Sequence, residues 1–141
     1  MLSAKTEYAC LALVRLAAEH AGGQPLQGRR LAAEERIPEG FLTQIMQQLK
    51  RQGLVTSVRG ASGGYRLARS PEETTVADVL ALLEDVDQPA CSNLSDPTPF
   101  ASAMTELCEQ ANQAKLEVLR GVTLADLAAR SAPVGAGMYY I

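Results

Sequence analysis

The feature that most constrains the fold is a change of hydrophobic period at Gly53. Before Gly53, apolar residues recur every three or four positions, which is typical of an amphipathic helix. After it, this period stops: "LVTSV" is a short run rich in β-branched residues, and "GYRLA" follows beyond a glycine-rich stretch. Two short runs of this kind around glycines predict a β-hairpin. The sequence therefore predicts a helix over about Pro38–Gln52 that leads directly into a hairpin.

Further helices are predicted on both sides of this unit. Ser3 can cap a first helix, which "GGQP" ends, and a short second helix covers Gly28–Arg36. After the hairpin, Thr74 or Thr75 caps a fourth helix. Helices of this length followed by a hairpin are the parts of a winged helix-turn-helix. We therefore expect a mainly α fold with a small β-hairpin, built as a winged helix-turn-helix over residues 1–84.

The rest of the chain predicts a loop and a long helix. Residues 85–99 are rich in Pro, Asp and Ser, and we expect a sensor loop there, followed by a dimerisation helix and tail over 100–141. Apolar residues along this helix step by three, four, three and four, which is the spacing of a coiled-coil seam. Such a stripe packs either on the chain's own core or on a second copy. Its members are Met104, Leu107, Ala111, Ala114 and Val118.

The two halves of the chain differ in charge. Residues 1–70 hold ten Lys/Arg and five Asp/Glu, whereas residues 71–141 hold three and eleven. A net charge of +5 beside one of −8 favours a polyanionic partner for the first half. The sequence has neither the apolar run of a membrane span nor the pattern of a signal peptide. We therefore expect a cytoplasmic protein that does not bind membranes, with its three cysteines present as thiols or ligands.

The third helix and the hairpin carry side chains suited to duplex DNA. A major groove about 12 Å wide admits one helix, whose Thr and Gln side chains can meet base edges while its Lys and Arg meet phosphates. Arginines on the hairpin suit phosphates or the narrow minor groove. A Gln-rich face or a Gly-rich turn alone is more often just a solvated surface, but their order and basic setting favour DNA. The predicted DNA-binding residues are Glu39, Gly40, Phe41, Thr43, Gln44, Gln47, Gln48, Lys50, Arg51, Ser57, Arg59, Gly60, Ser62, Gly63, Gly64, Tyr65 and Arg66.

Four segments together resemble the IscR-type (Rrf2) family of regulators: "KTEYACLALVRLA", "FLTQIMQQLKRQGLVTSVRGASGGYRLAR", "TVADVLALLE" and "VTLADL". The resemblance covers nearly the whole chain, and the block from "LKRQGLV" to "GGYRLAR" is its most specific part. It implies a homodimeric bacterial transcription regulator that binds a palindromic DNA site. It also implies that the recognition helix is about Pro38–Gln52 and that Arg59 enters the minor groove.

The cysteines depart from the pattern of this family. The resemblance implies three close cysteines before the long helix, but this chain has only Cys91 there, with Ser102 where the last is expected. Thiolates hold iron–sulfur clusters, and nitrogen or oxygen ligands can replace some of them. We therefore expect a 2Fe–2S cluster held by Cys91 and Cys108 and completed by Glu7 or Cys10. The alternatives stay open: Cys10 and Cys108 can be packing residues, and Cys91 can be a lone redox-active thiol.

Two other classes of function compete with a redox- or cluster-responsive regulator. One is a cofactor-free regulator of the same family, controlled by a protein partner or a metabolite. The other is a winged helix that only binds proteins. The sequence shows no Ser/His/Asp set and no credible pair of catalytic carboxylates, so we expect that the protein is not an enzyme.

Overall fold

The computed structural model describes residues 2–84 and 96–131. The chain folds in the order α1 (Ala4–Glu19), a short 3₁₀ turn (His20–Gly22), α2 (Gly28–Glu35), α3 (Glu39–Arg51), β1 (Val55–Val58), β2 (Gly64–Leu67), α4 (Val76–Leu83), α5 (Pro99–Arg120) and α6 (Leu124–Ser131). The mainly α fold with a small hairpin is confirmed, and each predicted helix lies within one or two residues of its expected bounds. Pro38 sits at the N-cap of α3 rather than in its first turn.

The helix boundaries follow from local side-chain chemistry. Ser3 caps α1, because its hydroxyl accepts a hydrogen bond from the Thr6 amide at 3.2 Å. Thr75 begins α4 in a reciprocal capping box with Asp78. The same Thr-x-x-Asp pattern begins α6, where Thr123 and Asp126 exchange bonds of 3.0 Å. These caps explain why the sequence was sufficient to place the helix starts.

The first helix, α1, lies at the centre of the core. It packs against α2, α3, α4, α6 and β2. Its buried side chains include Leu13 and Leu16, which join buried residues of α3 and of the hairpin in one cluster. Leu124 of α6 is also buried in this cluster. The N-terminal unit therefore includes residues from beyond the long helix in its core.

The hairpin is an antiparallel pair in which Val55 lies opposite Leu67 and Val58 opposite Gly64. Val55 and Leu67 are buried and anchor the base of the hairpin on the core. An additional isolated bridge pairs Leu26 with Tyr65, so that the residue before the second helix lies beside β2.

The long helix α5 contains no fully buried residue. Leu116 and Leu119 are half-buried, and Leu119 packs against the core. The predicted seam is exposed: Met104, Leu107 and Val118 are 58%, 57% and 67% exposed, and Phe100 extends the stripe at 86%. Within residues 2–84 and 96–131, this stripe is therefore left largely exposed rather than packed in the core. No helix in these ranges is long and apolar enough to span a membrane.

Candidate nucleic-acid interface

The third helix, α3, divides cleanly into a buried side and a solvent side. Leu42, Ile45, Met46 and Leu49 are all buried in the core. This fixes the rotation of the helix, because side chains three and four positions apart share a face. The residues exposed on the opposite side are Glu39, Gly40, Thr43, Gln44, Gln47, Lys50 and Arg51. The structure therefore brings seven of the predicted DNA-binding residues onto one accessible face.

Two residues predicted for this face lie at its edge instead. Phe41 is half-buried, and its ring stands edge-on to that of Tyr8, with 5.6 Å between centroids. Gln48 is also half-buried. Phe41 therefore ties α3 to α1 and presents only part of its surface, because an aromatic ring gains more from burial than from solvent exposure.

Several side chains on the exposed face already make contacts within the chain. The Thr43 hydroxyl donates to the Glu39 carbonyl oxygen at 3.0 Å. Lys50 Nζ donates to Ser57 Oγ at 2.8 Å, which joins the end of α3 to the hairpin. A lysine ammonium has three donors, so two remain for a phosphate. Arg29 Nε lies 3.7 Å from Glu39 Oε1, and both side chains are largely exposed.

The hairpin presents an exposed tip between two anchored strands. Ser57, Arg59, Gly60, Ser62 and Arg66 are exposed, whereas Tyr65 and Gly64 are half-buried and Gly63 is buried. Gly63 has a structural reason to be glycine, since a Cβ there would lie 2.1 Å from the Val58 carbonyl oxygen. The backbone of this turn closes with the Gly63 amide donating to the Gly60 oxygen at 3.0 Å. Arg59 therefore projects from a short, closed turn rather than from an open loop, and Arg66 projects from strand β2 beside it.

The cysteine sites divide between buried and half-buried positions. Cys10 is 8% exposed, and burial, with a smaller effect from the nearby Glu84 carboxylate, raises the pKa of its thiol to about 11. A thiolate is thus strongly disfavoured at Cys10. Glu7, one turn earlier on α1, is exposed. Cys108 is half-buried on α5 and is disulfide-bonded, so the expectation that all three cysteines are thiols or ligands is wrong for Cys108 in this structure. Cys91 lies outside the described residues.

The residues that the structure describes do not form a metal site among themselves. In residues 2–84 and 96–131, no three His, Cys, Asp or Glu side chains lie close enough together to hold an ion. Cys10 is poorly placed for a cluster because its side chain is buried in the core, whereas the exposed Glu7 carboxylate is an accessible oxygen ligand.

Sequence reasoning missed two residues beside the interface. Arg29 is 87% exposed at the start of α2 and adds a cation next to Glu39. The "GRR" at the beginning of this helix was a usable signal. Gln27 contacts the hairpin tip, where its Nε2 donates to the Ala61 carbonyl oxygen at 2.9 Å. Nothing in its local sequence predicts that contact, because the partners are 34 positions apart.

An exposed polar helix packed on a three-helix core, beside a glycine-tipped hairpin carrying arginines, defines a winged helix-turn-helix DNA-binding protein. A model of the Rrf2 family, described as "Iron-dependent Transcriptional regulator", matches residues 2–130. The chain belongs to this family and is a DNA-binding transcription regulator.

The comparisons with individual proteins agree with this assignment. CymR of Bacillus subtilis (strain 168) is 35% identical over 127 residues, which cover 90% of this chain and 88% of CymR. A solved structure of CymR, titled the global cysteine regulator of B. subtilis, superposes with a TM-score of 0.78 at 33% identity over 93% of this chain and 98% of that one. The structure of IscR from T. potens gives the same TM-score at 31% identity, covering 99% and 96%. These relatives are transcriptional regulators, which confirms that the chain is not an enzyme.

Proposed function

We propose that two copies of the chain bind a palindromic DNA site, with each α3 in a major groove and each hairpin in the flanking minor groove. The observation that carries the proposal is the shared exposure of the Thr43, Gln44 and Gln47 side chains beside Arg59 and Arg66. Amide side chains can form paired hydrogen bonds with adenine, and arginine is attracted to a narrow minor groove. The hairpin that carries the two arginines is hereafter called the wing (Val55–Leu67).

The exposed stripe of α5 supports the symmetric pair. Phe100, Met104, Leu107 and Val118 leave a long apolar surface in contact with water on one side of a single helix. Burying each of these side chains in an interface would contribute about 1–2 kcal/mol. A two-fold pair of copies covers the same stripe on both, and such self-complementary contacts are the commonest form of assembly. We propose that this assembly works in the cytoplasm.

The experiment that tests DNA binding compares two arginine variants. Duplexes are first selected from a random pool with the wild-type chain, and affinity is then measured by fluorescence anisotropy at several salt concentrations. Arg59→Ala should weaken binding by about tenfold or more per copy, because a charge-assisted hydrogen bond contributes roughly 1.5–3 kcal/mol. Arg130→Ala, an exposed arginine on α6, is the matched control and should leave affinity unchanged.

Salt dependence gives a second readout from the same titrations. Each phosphate contact that is lost should reduce the slope of log affinity against log salt by about 0.9. A wild-type chain that selects no duplex, or an Arg59→Ala variant that binds like Arg130→Ala, would contradict the proposal.

A second proposal is that thiol or iron–sulfur chemistry controls DNA affinity. The family description and the relatives CymR and IscR motivate it, and the described residues favour Glu7 over Cys10 as the ligand that joins Cys91 and Cys108. Glu7 is exposed, whereas the Cys10 side chain is buried in the core. Cys108 is disulfide-bonded in this structure, so reduction must precede iron binding there. Anaerobic purification, visible absorption and iron and sulfide analysis test this assignment. A colourless, iron-free protein after anaerobic reconstitution would leave the cofactor-free regulator as the better description.

A further inference from the structure

The wing is joined to Leu26, two residues before α2, by a pair of backbone hydrogen bonds. The Leu26 amide donates to the Tyr65 oxygen at 2.9 Å, and the Tyr65 amide donates to the Leu26 oxygen at 2.8 Å. Leu26 itself is buried, so this bridge is anchored in the core. Strand β2 of the wing is therefore fixed at Tyr65 relative to the helix-turn-helix.

Among residues 2–84 and 96–131, Gln27 supplies the side-chain hydrogen bond to the tip of the wing. Gln27 occupies the N-cap position of α2, but its side chain makes no capping hydrogen bond there. Its Nε2 instead donates to the Ala61 carbonyl oxygen at 2.9 Å. Glutamine is not among the residues preferred at an N-cap. Its length and its amide donor are, however, what a contact with the tip requires.

Glycines on the wing and on α2 allow these two elements to lie close together. Gly64 has a φ of +146°, and a Cβ there would lie 2.4 Å from the Leu26 carbonyl oxygen. A Cβ on Gly28 would lie 3.1 Å from a ring carbon of Tyr65. The other strand of the wing, β1, is bound to α3 by the Lys50–Ser57 hydrogen bond. The tip around Ala61 is thus the part whose position depends on Gln27.

We propose that Gln27 is a positioning residue for DNA recognition: by holding Ala61, it sets the angle at which the wing presents Arg59 to the minor groove. The inference rests on the proposed function, since it assumes that the wing binds DNA. Gln27 acts through the wing and does not itself need to touch DNA. Arg59 lies two residues before Ala61, so a displacement of the tip moves its side chain directly.

The test replaces Gln27 by methionine, which has a similar length but neither donor nor charge. Loss of one neutral hydrogen bond predicts an affinity lower by about 2- to 10-fold per copy for the selected duplex. Gln24→Met, in the exposed loop just before Leu26, is the matched control and should bind like the wild type. Thermal unfolding monitored by circular dichroism checks that both variants remain folded.

A double-mutant cycle separates positioning from direct contact. If Gln27 acts through the wing, Gln27→Met should have little further effect in an Arg59→Ala background, since coupled residues are not additive. Hydroxyl-radical footprints should then lose protection at the flanking minor groove but keep it at the centre of the site. Additive losses, or a Gln27→Met variant with wild-type affinity and footprint, would overturn the inference while leaving DNA binding intact. A wild-type chain that selects no duplex would instead overturn the proposed function and this inference with it.

Discussion

A charge placed in the middle of the α5 stripe should separate the two copies. Leu107 is 57% exposed and lies between Met104 and Ala111 on the predicted seam. In a symmetric pair, Leu107→Glu introduces two carboxylates into one interface. Each must lose water without a partner, which is costly for an ionised group.

The magnitude follows from the exposed fraction. Full burial of a leucine side chain contributes about 1.5–3 kcal/mol, so the exposed half of Leu107 accounts for about 1 kcal/mol per copy and about 2 kcal/mol per pair. Desolvation and repulsion of two carboxylates add at least a similar amount. A total near 4 kcal/mol corresponds to a dimer dissociation constant raised by about 10³-fold.

Sedimentation equilibrium over a wide concentration range measures this constant. Gln113→Glu adds the same charge at an exposed position outside the seam, and it should leave the dimer intact. The secondary structure of Leu107→Glu should be retained, because no residue of α5 is fully buried in its own chain. A Leu107→Glu variant that dimerises as tightly as Gln113→Glu would refute the assignment of this stripe to the interface.

Two further predictions concern single buried or constrained positions. Gly64→Ala should lower the free energy of unfolding by about 1–3 kcal/mol in urea titrations, because its φ of +146° and its contact with Leu26 leave no place for a Cβ. Gly40→Ala, in an open helical position, should be neutral or stabilising, and equal losses in both variants would contradict this reasoning. The pKa of the Cys10 thiol is about 11 in the folded chain against an ordinary value of 9.0, so the stability that its burial provides is complete below pH 9 and is lost as the pH rises towards 11. Cys10→Ala should therefore show a flatter decline of stability between pH 9 and 11, and an unchanged slope would contradict the assignment.

The helices and the hairpin could be predicted because their signals are local. The change of period at Gly53, the caps at Ser3 and Thr75 and the stripe on α3 each lie within a few residues of the boundary that they fix. The exposed face of α3 followed from the same pattern. Once Leu42 and Leu49 were placed in the core, the rotation of the helix determined which side chains face solvent.

The remaining features depend on contacts that are distant in sequence. Ser3 donates its amide to Glu84 Oε1 at 3.0 Å across 81 positions, and Gln27 reaches Ala61 across 34. No periodicity encodes such pairs. The stripe on α5 shows a different limit, because the same three-and-four spacing fits packing on the chain's own core or on a second copy. The sequence pattern does not reveal that Leu107 and its neighbours are exposed on the described part of the folded chain.

Backbone hydrogen bonds join the segment that follows α5 to the start of α4. The Val76 amide donates to the Val122 oxygen at 3.0 Å, and the Leu124 amide donates to the Thr74 oxygen at 2.9 Å. The rotation of the long helix about its axis is therefore fixed relative to α4. Each residue added to or removed from α5 between the apolar stripe and these hydrogen bonds would rotate the N-terminal unit by about 100° about the helix axis. The length of α5 thus sets the rotation between the apolar stripe, which we propose pairs two copies, and the exposed face of α3, which we propose binds DNA.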